Sequence, residues 1–193
     1  MTIVGALLLC VVPLAAMAQP VEPLDVMGKL NFHAQSIGSP TSLAETAAYA
    51  GILHGLDSPR EWGQGAGAYG KRLASALGGS AIHGVLAFGL DSALHQDPRY
   101  FRSRETGFLR RTAHALRGTM LTRTDSGGET LSTWRLGSDY GAAFLSNEWY
   151  PDRVNTVGLG AQQGTLHFGF DFLSNLAAEF WPDVRRKILR RKS

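Results

Sequence analysis

The chain is almost without cysteine: Cys10 stands alone among 193 residues. If the segment carrying it is removed on export, as argued below, the mature chain has none, which excludes a disulfide framework and a thiolate metal site. Charge is sparse as well, at 18 % of residues, and the formal net charge is only +3. There is no low-complexity tract and no internal repeat. Runs of alternating polar and apolar residues are scarce, which argues against an all-β fold. Stability must therefore come from packing, and the length suits a single domain with a sizeable core.

What is there begins at Met1. Ile3 to Ala16 form an apolar stretch, broken by Pro13 and followed by Ala16-Met17-Ala18, an A-x-A signature that predicts cleavage before Gln19. The stretch is too short to span a bilayer, which takes about 20 apolar residues. It lacks the basic start common in such peptides, and Leu9 before Cys10 disfavours lipidation. The organisation expected is a signal peptide over 1–18, an N-terminal helical segment over 19–62, and a helical bundle with a basic C-terminal tail over 63–193. The destination is the periplasm or cell envelope.

The remainder reads as helices. Ser42 and Glu45 are spaced as a capping box opening a short helix that ends near Gly55, with Ser58-Pro59 beyond it. A glycine-rich connector, Gly63 to Gly70, precedes a long helix from Lys71 to His95, ended by Asp97-Pro98. A basic amphipathic helix follows over Phe108 to Leu121, then a loop through Asp125-Ser126-Gly127-Gly128. Further helices are expected from Thr130 to Trp149 and from Thr156 to Trp181, stopped by Pro151 and Pro182.

Three helices carry polar residues at i+4 spacing: Ser75, Gly79, His83, Asp91 and His95 on one; Arg135, Asp139 and Asn147 on the next; Gln163, His167, Asp171, Asn175 and Glu179 on the last. Small-xxx-small sets run beside them, such as Gly137 with Gly141 and Gly160 with Gly164, spacing that lets backbones approach closely. A solvent face is rich in Glu and Lys, whereas these stripes carry Ser, Gly, His and Asn. They suit an interior, with the apolar sides turned to lipid.

Basic residues are clustered. Arg99, Arg102, Arg104, Arg110, Arg111, Arg117 and Arg123 face only Glu105 in their stretch, and the tail holds Arg185, Arg186, Lys187, Arg190 and Arg191. With the mature N-terminus outside, helices crossing in turn would put both clusters on the inner side, as the positive-inside rule expects. Arg135 and Asp139 make the middle helix a costly span, about 2.5 to 3.5 kcal/mol per such residue at the bilayer centre. A peripheral bundle lying on anionic headgroups through Arg110, Arg111, Arg117 and the tail avoids that cost.

Two motif matches lack their context. Gly65 to Lys71 approximates a phosphate-binding loop, but Arg72 stands where Ser or Thr is required and no strand precedes it. Asp125-Ser126-Gly127-Gly128 resembles a protease nucleophile loop without the β-barrel to hold a triad. Nucleotide and nucleic acid are therefore not expected as ligands. The chemical candidates are His95, Asp97, His167 and Asp171, with His83 and Asp91 nearby in sequence pattern. Imidazole and carboxylate together suit a divalent metal, so a metal-dependent, hydrolase-like enzyme is the alternative reading, and mutual satisfaction of these groups inside a bundle is the competing one.

The segments Trp62-Gly63-Gln64-Gly65-Ala66-Gly67-Ala68-Tyr69-Gly70-Lys71-Arg72, Leu94-His95-Gln96-Asp97-Pro98-Arg99-Tyr100-Phe101 and Ser146-Asn147-Glu148-Trp149-Tyr150-Pro151 resemble the core of an uncharacterised family of exported bacterial proteins. The resemblance spans Trp62 to Arg186 and implies a shared fold, but no activity or site residue. The expectation is an all-α bundle of about five helices with small-residue contacts, exported and membrane-associated. Its role is structural or binding, with no cofactor, a lipid surface as partner, and room for a protein partner or a second copy.

Overall fold

The computed structural model describes residues 22–190, with Arg190 described in its backbone only. The expected signal peptide and the tail residues Arg191 and Lys192 lie outside the described residues. The protein is an all-α bundle. The helices among the described residues are α1 (Val26–Gly38), α2 (Pro40–Gly55), α3 (Ala66–Ala93), α4 (Phe108–Met120), α5 (Thr133–Asn147) and α6 (Val157–Arg190). A hairpin of β1 (Leu121–Arg123) and β2 (Glu129–Leu131) separates α4 from α5.

Local chemistry explains most boundaries and several departures from expectation. Asp25 caps α1, accepting from Gly28 N at 2.7 Å. The cap of α2 is Ser39, whose hydroxyl accepts from Ser42 N at 3.1 Å, with Pro40 in the first turn. Ser42 is thus inside the helix rather than its cap. α3 begins at Ala66, five residues before Lys71, because Gly65 at φ +95° makes the entry and the following glycines join the helix. The expected helix start at Thr130 is instead strand: Thr122 pairs with Thr130, and Gly127 at φ +89° closes the turn. Three-residue strands are too short to leave a legible period.

Pro182 does not end α6, which continues to Arg190. A proline inside a helix removes one N–H and crowds the carbonyl a turn earlier. Here the carbonyl of Glu179 receives Arg102 Nε at 3.1 Å and a further hydrogen bond from Arg111 Nη2. The carbonyl that Pro182 leaves without its helical donor is that of Ala178, so these contacts brace α6 beside the proline rather than replace the missing bond.

α3, α5 and α6 run antiparallel in sequence. A Cβ on Gly137 would meet Leu90, one on Gly141 would meet Leu86, and Trp149 Nε1 donates to Ser75 Oγ at 2.8 Å, so α5 runs back along α3. Asn147 reaches the Thr156 carbonyl and Tyr140 Oη lies 2.9 Å from Thr165 Oγ1, so α6 returns along α5. The small residues do what their spacing implied: a Cβ on Gly164 would lie 2.5 Å from the Tyr140 ring. α1 and α2 follow one another along α3, from His33 beside Asp91 to Tyr69 Oη beside the Ala47 carbonyl.

This last feature changes the expected topology. Arg99 Nη2 donates to the Glu22 carbonyl at 2.6 Å, and Lys29 Nζ reaches Asp125 at 2.8 Å. The start of the described chain therefore sits at the same end as the Arg99–Arg123 stretch, not opposite to it. α1 and α2 together traverse the bundle once, a passage that a reading beginning with α3 omits.

The distribution of side chains is inverted relative to a water-soluble domain. The buried apolar residues are Ala50, Ala68, Ala87, Ala115, Ala142, Ala143, Ala178 and one large side chain, Trp134. Buried beside them are Lys29, Arg72, Asp91, Arg135, Asp139, Asn147, Asn175 and Glu179. Large apolar side chains lie outside: Val85 is 70 % exposed, Leu109 79 %, Leu173 53 % and Phe170 50 %. Soluble cores are built from Leu, Ile, Val and Phe, with charge at the surface.

Candidate functional site

Every exposed charged side chain among the described residues lies at one of the two ends of the bundle. None lies on α1 or α2 between Val26 and Gly55, on α3 between Arg72 and Ala93, on α5, or on α6 between Val157 and Pro182. At one end Arg60, Lys71 and Arg153 balance Glu61, Glu148 and Asp152. At the other, Arg102, Arg104, Arg110, Arg117, Arg123, Arg185, Arg186 and Lys187 outweigh Glu22, Asp25, Glu105 and Glu129.

The buried charges within the flanks are paired, as burial requires, while Glu45 on α2 is half-buried with no ion-pair partner among the described residues. His33 Nε2 lies 2.6 Å from Asp91 Oδ2, with the Trp134 ring edge-on to the imidazole. His83 Nε2 lies 3.0 Å from Asp139 Oδ1 and 3.3 Å from Ser138 Oγ. Because one nitrogen faces both partners, this is not a Ser-His-Asp relay, which uses the two ring nitrogens separately. His167 packs edge-on to His83, the ring centres 6.5 Å apart. Arg135 forms an ion pair with Asp171, Nε to Oδ2 at 2.6 Å, and its Nη1 donates to the carbonyls of Gly118 and Thr119. Arg72 is wholly buried and donates to the carbonyls of Ser58, Pro59 and Gly63, which fixes the turn before α3.

The metal candidates are not brought together as a ligand set. His95 is 80 % exposed at the end of α3, 3.7 Å from Asp125. Asp97 is occupied by Arg99 through both carboxylate oxygens, and accepts from the Arg99 backbone N–H at 3.0 Å. Asp171 is occupied by Arg135, and His167 lies against His83. Among the described residues no group of three or more His, Cys, Asp or Glu side chains is arranged to hold a metal ion. The phosphate-loop look-alike is the entry to α3, preceded by a 3-10 turn, Arg60–Trp62, rather than a strand.

The basic end is organised around Glu179. Its carboxylate accepts from Tyr100 Oη at 2.8 Å, Ser103 N at 2.9 Å and Arg111 Nε at 2.8 Å. Burial, and then this hydrogen bond, push the Tyr100 phenol above its usual range. Arg111 also bonds Asp183, whose carboxyl is held below its usual range chiefly by that contact. α4 is thereby rolled so that Ala115 and Thr119 face inward, Thr119 Oγ1 accepting from Asn175 at 2.9 Å, while Leu109, Leu116 and Met120 face outward beside Arg110 and Arg117. Of the expected surface arginines, Arg110, Arg117, Arg185, Arg186 and Lys187 are exposed, whereas Arg111 is a structural pin.

Sequence reasoning missed Lys29 and His33, which were one turn apart on an unremarked helix; that i+4 spacing was the available signal. The chain matches no protein-family model, no curated protein and no solved structure.

Proposed function

We propose that this is an exported membrane protein whose bundle sits in lipid and whose basic end binds, rather than catalyses. One observation carries the reading: among the described residues the flank of the bundle bears large apolar side chains and no exposed charge, while the buried charges inside are paired. In water that surface is costly, and in lipid it is the expected one. α3 supports the same conclusion, since it is long and apolar enough to cross a bilayer, with mean hydropathy 1.5 over its most apolar window, and only 11 % of that window is buried. The core helix of a soluble protein has the same composition but is covered. At 28 residues α3 is about 42 Å long, more than the roughly 30 Å hydrocarbon core.

Aromatic residues favour the same placement. Trp62 stacks on Tyr150 at 5.0 Å at the neutral end, close to the exposed Trp149, where an interfacial belt is expected. The signal-like segment over residues 1–18 supports export. The metal-dependent reading has no converging ligands to favour it. Carbonate extraction of membranes from cells making the full chain tests the proposal. Retention in the pellet until detergent is added is expected, and recovery as a soluble monomer without detergent overturns it.

A further inference from the structure

A small cleft opens at the basic end between the last turn of α4, the hairpin and residues 99–101. It measures about 60 Å³ and opens to solvent. Arg99, Phe101, His114, Arg117 and Arg123 line it, with the carboxylate of Glu129 at its edge. Most of their donors are already used. Arg99 is spent on Asp97, and the His114 Nε2 lies 2.9 Å from the Phe101 carbonyl.

Arg123 differs. Its guanidinium lies over the Phe101 ring at 4.1 Å, and it has no carboxylate partner among the described residues. A stacked guanidinium keeps its N–H fork at its edge, free to meet an oxyanion in a bidentate manner. Arg117 shares the cleft and contacts Glu129, the residue opposite Arg123 in the hairpin. Beside these arginines the surface turns apolar, with Leu116, Met120 and Leu131 exposed. Oxyanion donors next to exposed aliphatic side chains match an amphiphile: a phosphate bearing no neighbouring cation, attached to acyl chains.

We propose that this cleft binds the phosphate of an anionic phospholipid headgroup, with Arg123 as its ligand. The lipid source rests on the membrane reading above; the phosphate chemistry does not. The test titrates the full chain, purified in an uncharged detergent, with short-chain phosphatidylglycerol, with phosphatidylcholine of the same chain length, and with inorganic phosphate, followed by calorimetry. Saturable binding of phosphatidylglycerol is expected, with phosphatidylcholine and inorganic phosphate at least about tenfold weaker. Arg123→Gln should weaken phosphatidylglycerol binding about tenfold, the scale of one charge-assisted hydrogen bond. Lys71→Gln, at the neutral end, should leave it unchanged, and circular dichroism should show all variants equally helical.

Equal binding of the two lipids, or binding indifferent to Arg123→Gln, overturns the proposal. Inorganic phosphate binding as tightly as phosphatidylglycerol, and lost in Arg123→Gln, overturns the lipid source. The membrane reading fails separately, if the chain is soluble without detergent while the Arg123-dependent binding persists.

Discussion

The two ends of the bundle hold their charges in opposite ways. At the neutral end Glu61 and Arg153 pair in solvent, each shifting the other towards its charged form. At the basic end Glu179 is buried and takes donors from Tyr100, Ser103 and Arg111, drawn from two different segments of the chain. The same chemistry, carboxylate with guanidinium, therefore has different weight. An exposed pair is screened and replaceable, whereas a buried carboxylate stripped of its cation leaves an uncompensated charge. The basic end is thus both the charged surface and the place where α4 and α6 are locked together.

The strongest way to break this contrast is Arg111→Leu. It should destabilise the folded protein by about 3 kcal/mol, the scale of a broken buried pair, with loss of α4 packing visible as faster amide exchange in that helix. Combining it with Glu179→Leu should recover part of the loss, because the orphaned carboxylate is then gone. A smaller effect is expected midway between the ends: Gly164→Ala forces a methyl against the Tyr140 ring and should cost about 1 to 3 kcal/mol by overpacking, read from thermal unfolding in detergent.

Smaller still is the acid limb. The carboxyl of Asp183 is held below its ordinary value in the folded protein, so it stabilises above its unfolded pKa, and that contribution is lost as pH falls through the folded one. Unfolding measured from pH 6 down to below about 4, the ordinary Asp range, should show a decline that Asp183→Asn reduces. At the neutral end Arg153→Ala should produce no resolvable change in Tm at physiological salt, which sharpens the contrast.

Much of the interior was legible from spacing alone. His83, Asp91, Arg135, Asp139, Asp171 and Glu179 recur at helical intervals in otherwise apolar or small-residue sequence, and that pattern marks a polar seam wherever the surroundings are apolar. Pairings were not legible, because partners such as His33 with Asp91 or Arg111 with Glu179 lie far apart in sequence. This is why the metal candidates read as a set although Arg99 and Arg135 occupy two of them. The hairpin was too short to show a period, and Pro182 read as a stop because the donors that brace α6 beside it, Arg102 and Arg111, come from another part of the chain. The cleft beside Arg123 was likewise invisible, since it depends on a hairpin the sequence did not announce.

The central claim is that the two ends lie on opposite sides of a lipid layer, with Glu22, where the described residues begin, at the basic end. Since Cys10 lies in the expected signal peptide, single cysteines introduced at Glu22, Arg104 and Asp152 have no native competitor in the mature chain. Labelling with a membrane-impermeant maleimide in sealed vesicles is the direct measurement. Glu22→Cys and Arg104→Cys should react from the same side and Asp152→Cys only from the other. Reaction of Arg104→Cys and Asp152→Cys from one side of intact vesicles would contradict the account.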